Sequence, residues 1–193
     1  MSDFDLEAID GLTLSEEHRA LLRPGELVED ENGNTHRLPR FFFAVPSWAK
    51  AHETRLAPHF QLAELMTVDC READLLFQTF PHHVPCAVML LARYLEDFRR
   101  DADAPVFVSA NGGYRSPSHQ RNRAHGPHCW AAAADIYRVG DTYLDNEKSI
   151  GKYAEMAKSL GPQLCVRPYS EGDDHMHLDL GYITLTPRDL SER

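Results

Sequence analysis

The sequence predicts an α+β domain with helices packed on a small, mainly antiparallel sheet. Three observations point there. Two stretches carry apolar residues at helical spacing, short β-branched and aromatic runs lie among the polar segments, and helices and strands do not alternate in the rhythm of parallel βαβ units. At 193 residues, 42% hydrophobic and 26% charged, the chain is long enough for one core and has the balance of an ordinary globular protein.

In chain order, residues 1 to about 50 read as an appendage of unknown role before a main domain spanning 51–193. A short helix is expected from Ser15 to Leu22, stopped by Pro24-Gly25, and Asn32-Gly33-Asn34 has the composition of a hairpin turn. Arg40-Phe-Phe-Phe-Ala-Val45 is a short apolar run closed by Pro46, fitting a strand or a docking segment whose aromatics are buried. After Pro85, Ala87, Val88, Leu91, Leu95 and Phe98 fall on one helical face, while Arg93, Glu96, Arg99 and Arg100 take the other. Asp101 to Pro105 breaks that helix, and Val106-Phe-Val-Ser109 is a strand closed by Gly112-Gly113. Ser116-Pro117 offers an N-cap and a proline at the first helical position, so a short helix is expected there. Ile150, Tyr153, Ala154, Ala157 and Leu160 mark another helix, ended by Gly161-Pro162, and His175 to Leu180 is the last strand.

With 30 acidic against 20 basic residues, the net charge of -10 argues against nucleic acid or anionic lipid as partner, since both reward clustered Lys and Arg. No apolar run approaches the roughly 20 residues that cross a bilayer, so integral membrane association is not expected. The opening MSDFDLEAIDG has neither a basic nor an apolar signal region, so the cytoplasm is the default compartment, with noncanonical delivery to the cell wall as the alternative. Cys70, Cys86, Cys129 and Cys165 form no CxxC pair. Cys70, Cys86 and Cys165 read as small core residues, whereas Cys129, next to His128, is also a candidate thiolate ligand.

His128 and Asp135 are seven residues apart. Zinc donors sit about 2.0–2.2 Å from the metal, so two ligand atoms lie only about 3–3.5 Å from each other. On one helix this pair would be separated by about 10 Å of rise, and on one strand it would occupy opposite faces. The two converge only if the chain bends between them, which the small residues from Cys129 to Ala134 allow. Helix propensity instead reads the four alanines, Ala131 to Ala134, as a helix, and from the residues alone both readings stand.

His128, then Asp135, and much later His177 within Asp173-Asp-His-Met-His-Leu-Asp-Leu-Gly181 resemble the ligand set of the zinc D-alanyl-D-alanine carboxypeptidase and endolysin family, peptidase family M15. Upstream, Ser109-Ala-Asn-Gly-Gly-Tyr-Arg-Ser-Pro117 is similar to that family's strand-ending arginine segment, and the helix before it has the family's leucine-rich, arginine-ended character. The resemblance covers roughly Phe60 to Pro187. It implies the hedgehog/DD-peptidase fold, with His128, Asp135 and His177 holding Zn2+ and a fourth position left for water. It further implies Asp174 as the principal general base and Arg115 as the donor to the developing oxyanion. His175 is the alternative base, because His-Met-His also ends related murein endopeptidases, in which the first histidine assists the water. Residues i and i+2 of a strand share a face, so periodicity does not choose between His175 and His177 as ligand; the family pattern does. The common Ser-x-His-x-x-Gly-x-Ala-x-Asp becomes Gly126-Pro-His-Cys-Trp-Ala131-Ala-Ala133-Ala-Asp135 here, and Gln120 stands where asparagine is frequent.

The implied activity is metal-assisted hydrolysis of an amide bond in a peptide or peptidoglycan-fragment substrate. A D-alanyl-D-alanine bond is the leading substrate and an L-alanyl-D-glutamate bond the endolysin variant. Two further readings keep the scaffold: a zinc-stabilised binding module without peptidase activity, and a biosynthetic hydrolase of a non-wall amide. Among the remaining histidines, His18, His36, His52, His59, His82 and His83 read as surface or structural groups, while His119 and His125 are candidates to border a cleft. Tyr114 and Trp130 read as packing residues.

Overall fold

The computed structural model describes residues 5–66, 83–119 and 125–187, so His82, Cys70 and Gln120 lie outside the described residues. Strand β1, Ala8–Asp10, precedes helix α1, Glu16–Leu22, whose N-cap Ser15 accepts from the His18 amide. Helix α1 ends at Arg23, which turns left-handed at φ 50 just ahead of Pro24-Gly25. Strands β2, Leu27–Glu29, and β3, Thr35–Arg37, form the expected hairpin, with Gly33 at φ +78 in its turn. The aromatic run becomes β4, Phe41–Ala44, and α2, Trp48–Glu53, leads to a second small hairpin, β5, Arg55–Ala57, and β6, Phe60–Gln61. Strand β7, His83–Pro85, pairs with β4, which pairs with β1 on its other edge.

Residues 5–50 share one core with the rest of the described chain. Leu22, Val28, Leu38 and Phe42 belong to the same buried cluster as Leu91, Leu95, Ile136 and Met176. Polar bonds join the two stretches as well, since Trp130 Nε1 donates to the Arg37 carbonyl at 3.0 Å and Ser118 Oγ to the Leu21 carbonyl at 3.0 Å.

Helix α3, Val88–Ala102, buries Val88, Leu91, Ala92, Leu95 and Phe98, the i, i+3, i+4, i+7 stripe that its sequence carries. Helix α4, Glu147–Ser159, starts where Asn146 accepts from the Ser149 amide and buries Ile150, Tyr153, Ala154 and Ala157. Between them lies the sheet that carries the site. Its central strand β9, Ala133–Val139, is flanked on one side by β8, Val106–Val108. On the other side run β10, Thr142–Tyr143, and β12, Met176–Asp179, with β11, Cys165–Val166, on the far edge of β12. Among the described residues every strand pairing is antiparallel, in agreement with the expected α+β class.

Of the two readings of the alanine run the structure shows the bend, and two other local expectations, at Ser116-Pro117 and Cys165, differ from the structure. The alanine run is not a helix: Pro127–Trp130 makes one 3-10 turn, Ala131 turns left-handed at φ 53, and the chain enters β9 at Ala133. Ala131 to Ala134 are fully buried, and the pairing of Ala133 and Ala134 with β12 outweighs an intrinsic preference of a few tenths of a kcal/mol per residue. At Ser116-Pro117 the chain makes a turn closed by the His119 amide on the Ser116 carbonyl at 3.0 Å, not a helical start. The backbone just before it is already committed, with Tyr114 N bonded to the Leu65 carbonyl and Arg115 N to that of His128. Cys165 is exposed on edge strand β11, while Cys86 and Cys129 are buried as expected. Among the described residues, no helix is long and apolar enough to cross a membrane.

Ala131 stands where the resembling motif has glycine, and its φ explains why. A non-glycine residue in the left-handed region costs about 1 kcal/mol or more. Ala131→Gly is therefore expected to stabilise the protein by up to about 1 kcal/mol, read as a higher midpoint in urea denaturation.

Candidate metal centre

The loop after β8 is fastened to β9 by backbone bonds. The Ser109 amide donates to the Asp135 carbonyl at 3.0 Å and the Asp135 amide to the Gly112 carbonyl at 2.8 Å. Gly112 and Gly113 allow this approach. A Cβ on Gly112 would sit 2.5 Å from Ser109 Oγ and 2.9 Å from the Asp135 carbonyl oxygen, and one on Gly113 would overlap the Leu65 carbonyl. Because backbone cannot retreat as a flexible side chain does, Gly113→Ala is expected to cost about 1–3 kcal/mol in urea denaturation.

That loop and the 3-10 turn bring His128 beside Asp135, and the β9–β12 register sets Asp135 directly opposite His177. One donor atom from each of His128, Asp135 and His177 lies within 4.8 Å of the other two. His177 Nδ1 is 2.8 Å and His128 Nε2 3.4 Å from Asp135 Oδ1. The remaining imidazole nitrogens are engaged. His128 Nδ1 is 2.8 Å from the Gly113 carbonyl, which only accepts, so this nitrogen carries the proton and Nε2 keeps its lone pair. His177 Nε2 is 3.2 Å from Asp179 Oδ2, which leaves Nδ1 for the centre. Two imidazoles oriented by outer acceptors, together with one carboxylate, are a donor set that fits a transition metal ion.

Burial opposes charge at all three groups, yet they respond differently. It holds the His128 pKa below its usual value despite Asp135. At Asp135 burial works against ionisation, but the neighbouring imidazoles of His128 and His177 overcome it and keep the carboxyl well below the usual range. At His177 burial is outweighed by the hydrogen bonds to Asp135 and Asp179, which raise the pKa from 6.5 to about 9. In metal-free protein this raised value contributes stability that is complete below about 6.5 and is lost as pH rises through about 9. Melting temperature measured with a chelator present is expected to fall across that window, whereas zinc, which must displace the His177 proton, binds more tightly as pH rises.

The other expected site residues gather at the same place. Arg115 donates through Nε to the Asn111 carbonyl and through its guanidinium to Asp135 Oδ2, so it grips the oxygen of Asp135 that faces away from the histidines. His175 Nε2 lies 3.6 Å from Asp135 Oδ1, and its Nδ1 lies 2.7 Å from Asp174 Oδ1. The Asp174 side chain is 88% exposed and that of His175 25%, so the imidazole is the inner member of the pair. Asp179, which sequence reasoning used only for alignment, is the outer acceptor of His177. Its signal was the i, i+2 spacing that places both on one strand face.

Cys129 is outside this donor group among the described residues, and burial pushes its thiol up to about 12, away from the thiolate a metal would need. His125 meets Arg23 at 3.0 Å, His119 is buried, His36 stacks on Tyr182 and His18 packs edge-on against His83. None of them joins the centre among the described residues. No protein-family model matches the chain, and neither the curated proteins nor the solved structures compared with it give a match.

Proposed function

We propose that this chain is a zinc-dependent metallopeptidase of the hedgehog/DD-peptidase type, hydrolysing an amide bond in peptidoglycan-type peptides. The observation that carries this reading is the His175 imidazole, poised beside the three-donor cluster and backed by its own carboxylate, Asp174. A purely structural zinc site closes four protein ligands, whereas three donors with an adjacent base are the arrangement of a hydrolytic centre. Zinc held by His128, Asp135 and His177 would polarise a substrate carbonyl and lower the pKa of a bound water.

The chain's own residues then have distinct tasks. Asp174 accepts the Nδ1 proton of His175 and so holds the tautomer with a free lone pair on Nε2. His175 Nε2 takes a proton from the attacking water and returns it to the leaving amine. Arg115 positions Asp135 by holding Oδ2, which keeps Oδ1 turned to the histidines. Donation by Arg115 to an oxyanion competes with that ion pair, so positioning is its first role.

The deciding experiment measures metal content together with hydrolysis of D-alanyl-D-alanine and muropeptide fragments, before and after chelation. About one zinc per chain and turnover that is lost on chelation and restored by zinc are expected. Stoichiometric zinc without cleavage of any muropeptide or D-amino-acid dipeptide would transfer the site to a binding module.

A further inference from the structure

We propose that Arg167 is the specificity residue of this cleft and binds the free α-carboxylate of a substrate cut next to its C-terminus; this rests on the amide-hydrolase reading above. The position follows from register. Cys165 faces Asp179 and Val166 faces Leu178, and the ladder continues one residue further, with the Arg167 amide bonded to the His177 carbonyl at 3.2 Å. Directly opposed residues of antiparallel strands project from the same face. His177 in turn opposes Asp135, so Asp135, His177 and Arg167 form one row across three strands.

The spacing suits a terminal residue. Neighbouring strands lie about 4.8 Å apart, and successive Cα atoms of a peptide about 3.8 Å. A scissile carbonyl held near Asp135 and His177 therefore places the carboxylate of the next residue one strand over, at Arg167.

Charge points the same way. Asp174 and Asp179 stand close to the centre and would repel a substrate carboxylate, so a cation has to offset them. Arg115 is largely buried and its charge is matched by Asp135. Arg167 is half-exposed, and Asp173 at 2.9 Å is its one side-chain partner among the described residues. Asp173 also accepts from the Ser170 amide at 2.7 Å, so it anchors the guanidinium while leaving most of the five N–H donors for a bidentate contact. The row therefore suits a residue that carries a free α-carboxylate directly after the scissile bond, as a C-terminal D-alanine does.

The test uses the zinc-loaded full chain and two inert probes, a phosphinate isostere of D-alanyl-D-alanine with a free carboxylate and its C-terminal amide, with binding measured by calorimetry. The acid is expected to bind about 10–100-fold more tightly than the amide. Arg167→Ala should abolish that preference by weakening the acid alone, and Arg167→Lys should restore part of it, with melting temperatures little changed because a half-exposed ion pair contributes little stability. Equal binding of acid and amide by the natural protein, or equal weakening of both in Arg167→Ala, overturns the assignment. Acid preference without hydrolysis of the corresponding dipeptide supports Arg167 and sinks the hydrolase reading, while failure to bind either probe overturns both.

Discussion

Asp135→Ala is expected to abolish metal binding and to destabilise the protein by about 3–5 kcal/mol even without metal. Asp135 is buried at the meeting point of Arg115, His128 and His177. Its removal leaves the largely buried guanidinium of Arg115 without its carboxylate partner and takes away the acceptor that keeps His177 protonated. Both penalties arise from burial, where water cannot replace the lost partner. Asp179→Asn is a useful contrast. Asp179 touches the centre only through His177 Nε2, so zinc affinity should fall by about 10–100-fold and stability should change much less. Zinc titration against a competing chelator, with urea denaturation of the metal-free proteins, separates the two. Undiminished zinc affinity in Asp135→Ala would remove the carboxylate from the ligand set.

His175→Ala is expected to lower kcat by about 10²–10⁴ while zinc content stays the same. Asp174→Asn should cost less, because the imidazole remains in place and loses only the partner that fixes its tautomer. The order of the two effects is diagnostic. If Asp174→Asn abolishes turnover and His175→Ala is nearly silent, the carboxylate is the base and the imidazole an accessory. The resemblance ranks Asp174 first, as the acidic residue three positions before the last ligand. The geometry favours the reverse ranking, because the carboxylate lies outward in solvent and His175 stands between it and the centre.

The helices were legible because their causes are local. Ser15 and Asn146 cap α1 and α4, the leucines of α3 repeat at helical spacing, and Gly33 suits the hairpin turn, each through contacts a few residues long. The alanine run left helix and bend both open for the same reason. Its intrinsic preference is helical, but its conformation follows from pairing with β12, more than 40 residues downstream. Residues 1–50 read as an appendage of unknown role because they carry no chemistry, and the contribution of Leu22, Leu38 and Phe42 to the core has no local signature.

The resemblance of residue types and order to a known ligand set was enough to name His128, Asp135 and His177 as candidate donors and Asp174, His175 and Arg115 as their expected neighbours. Tertiary structure decided how they meet: a left-handed Ala131 bends the chain between His128 and Asp135, and the β9–β12–β11 register lines up Asp135, His177 and Arg167. It also decided that His175 lies inside Asp174, and that Arg115 is ion-paired with Asp135. The physical reason is the two-residue period of a strand. A slip of one residue between β9 and β12 would send His177 and Asp179 into the core and bring Met176 and Leu178 to the site, and only the burial of Met176 and Leu178 against the rest of the molecule forbids that slip.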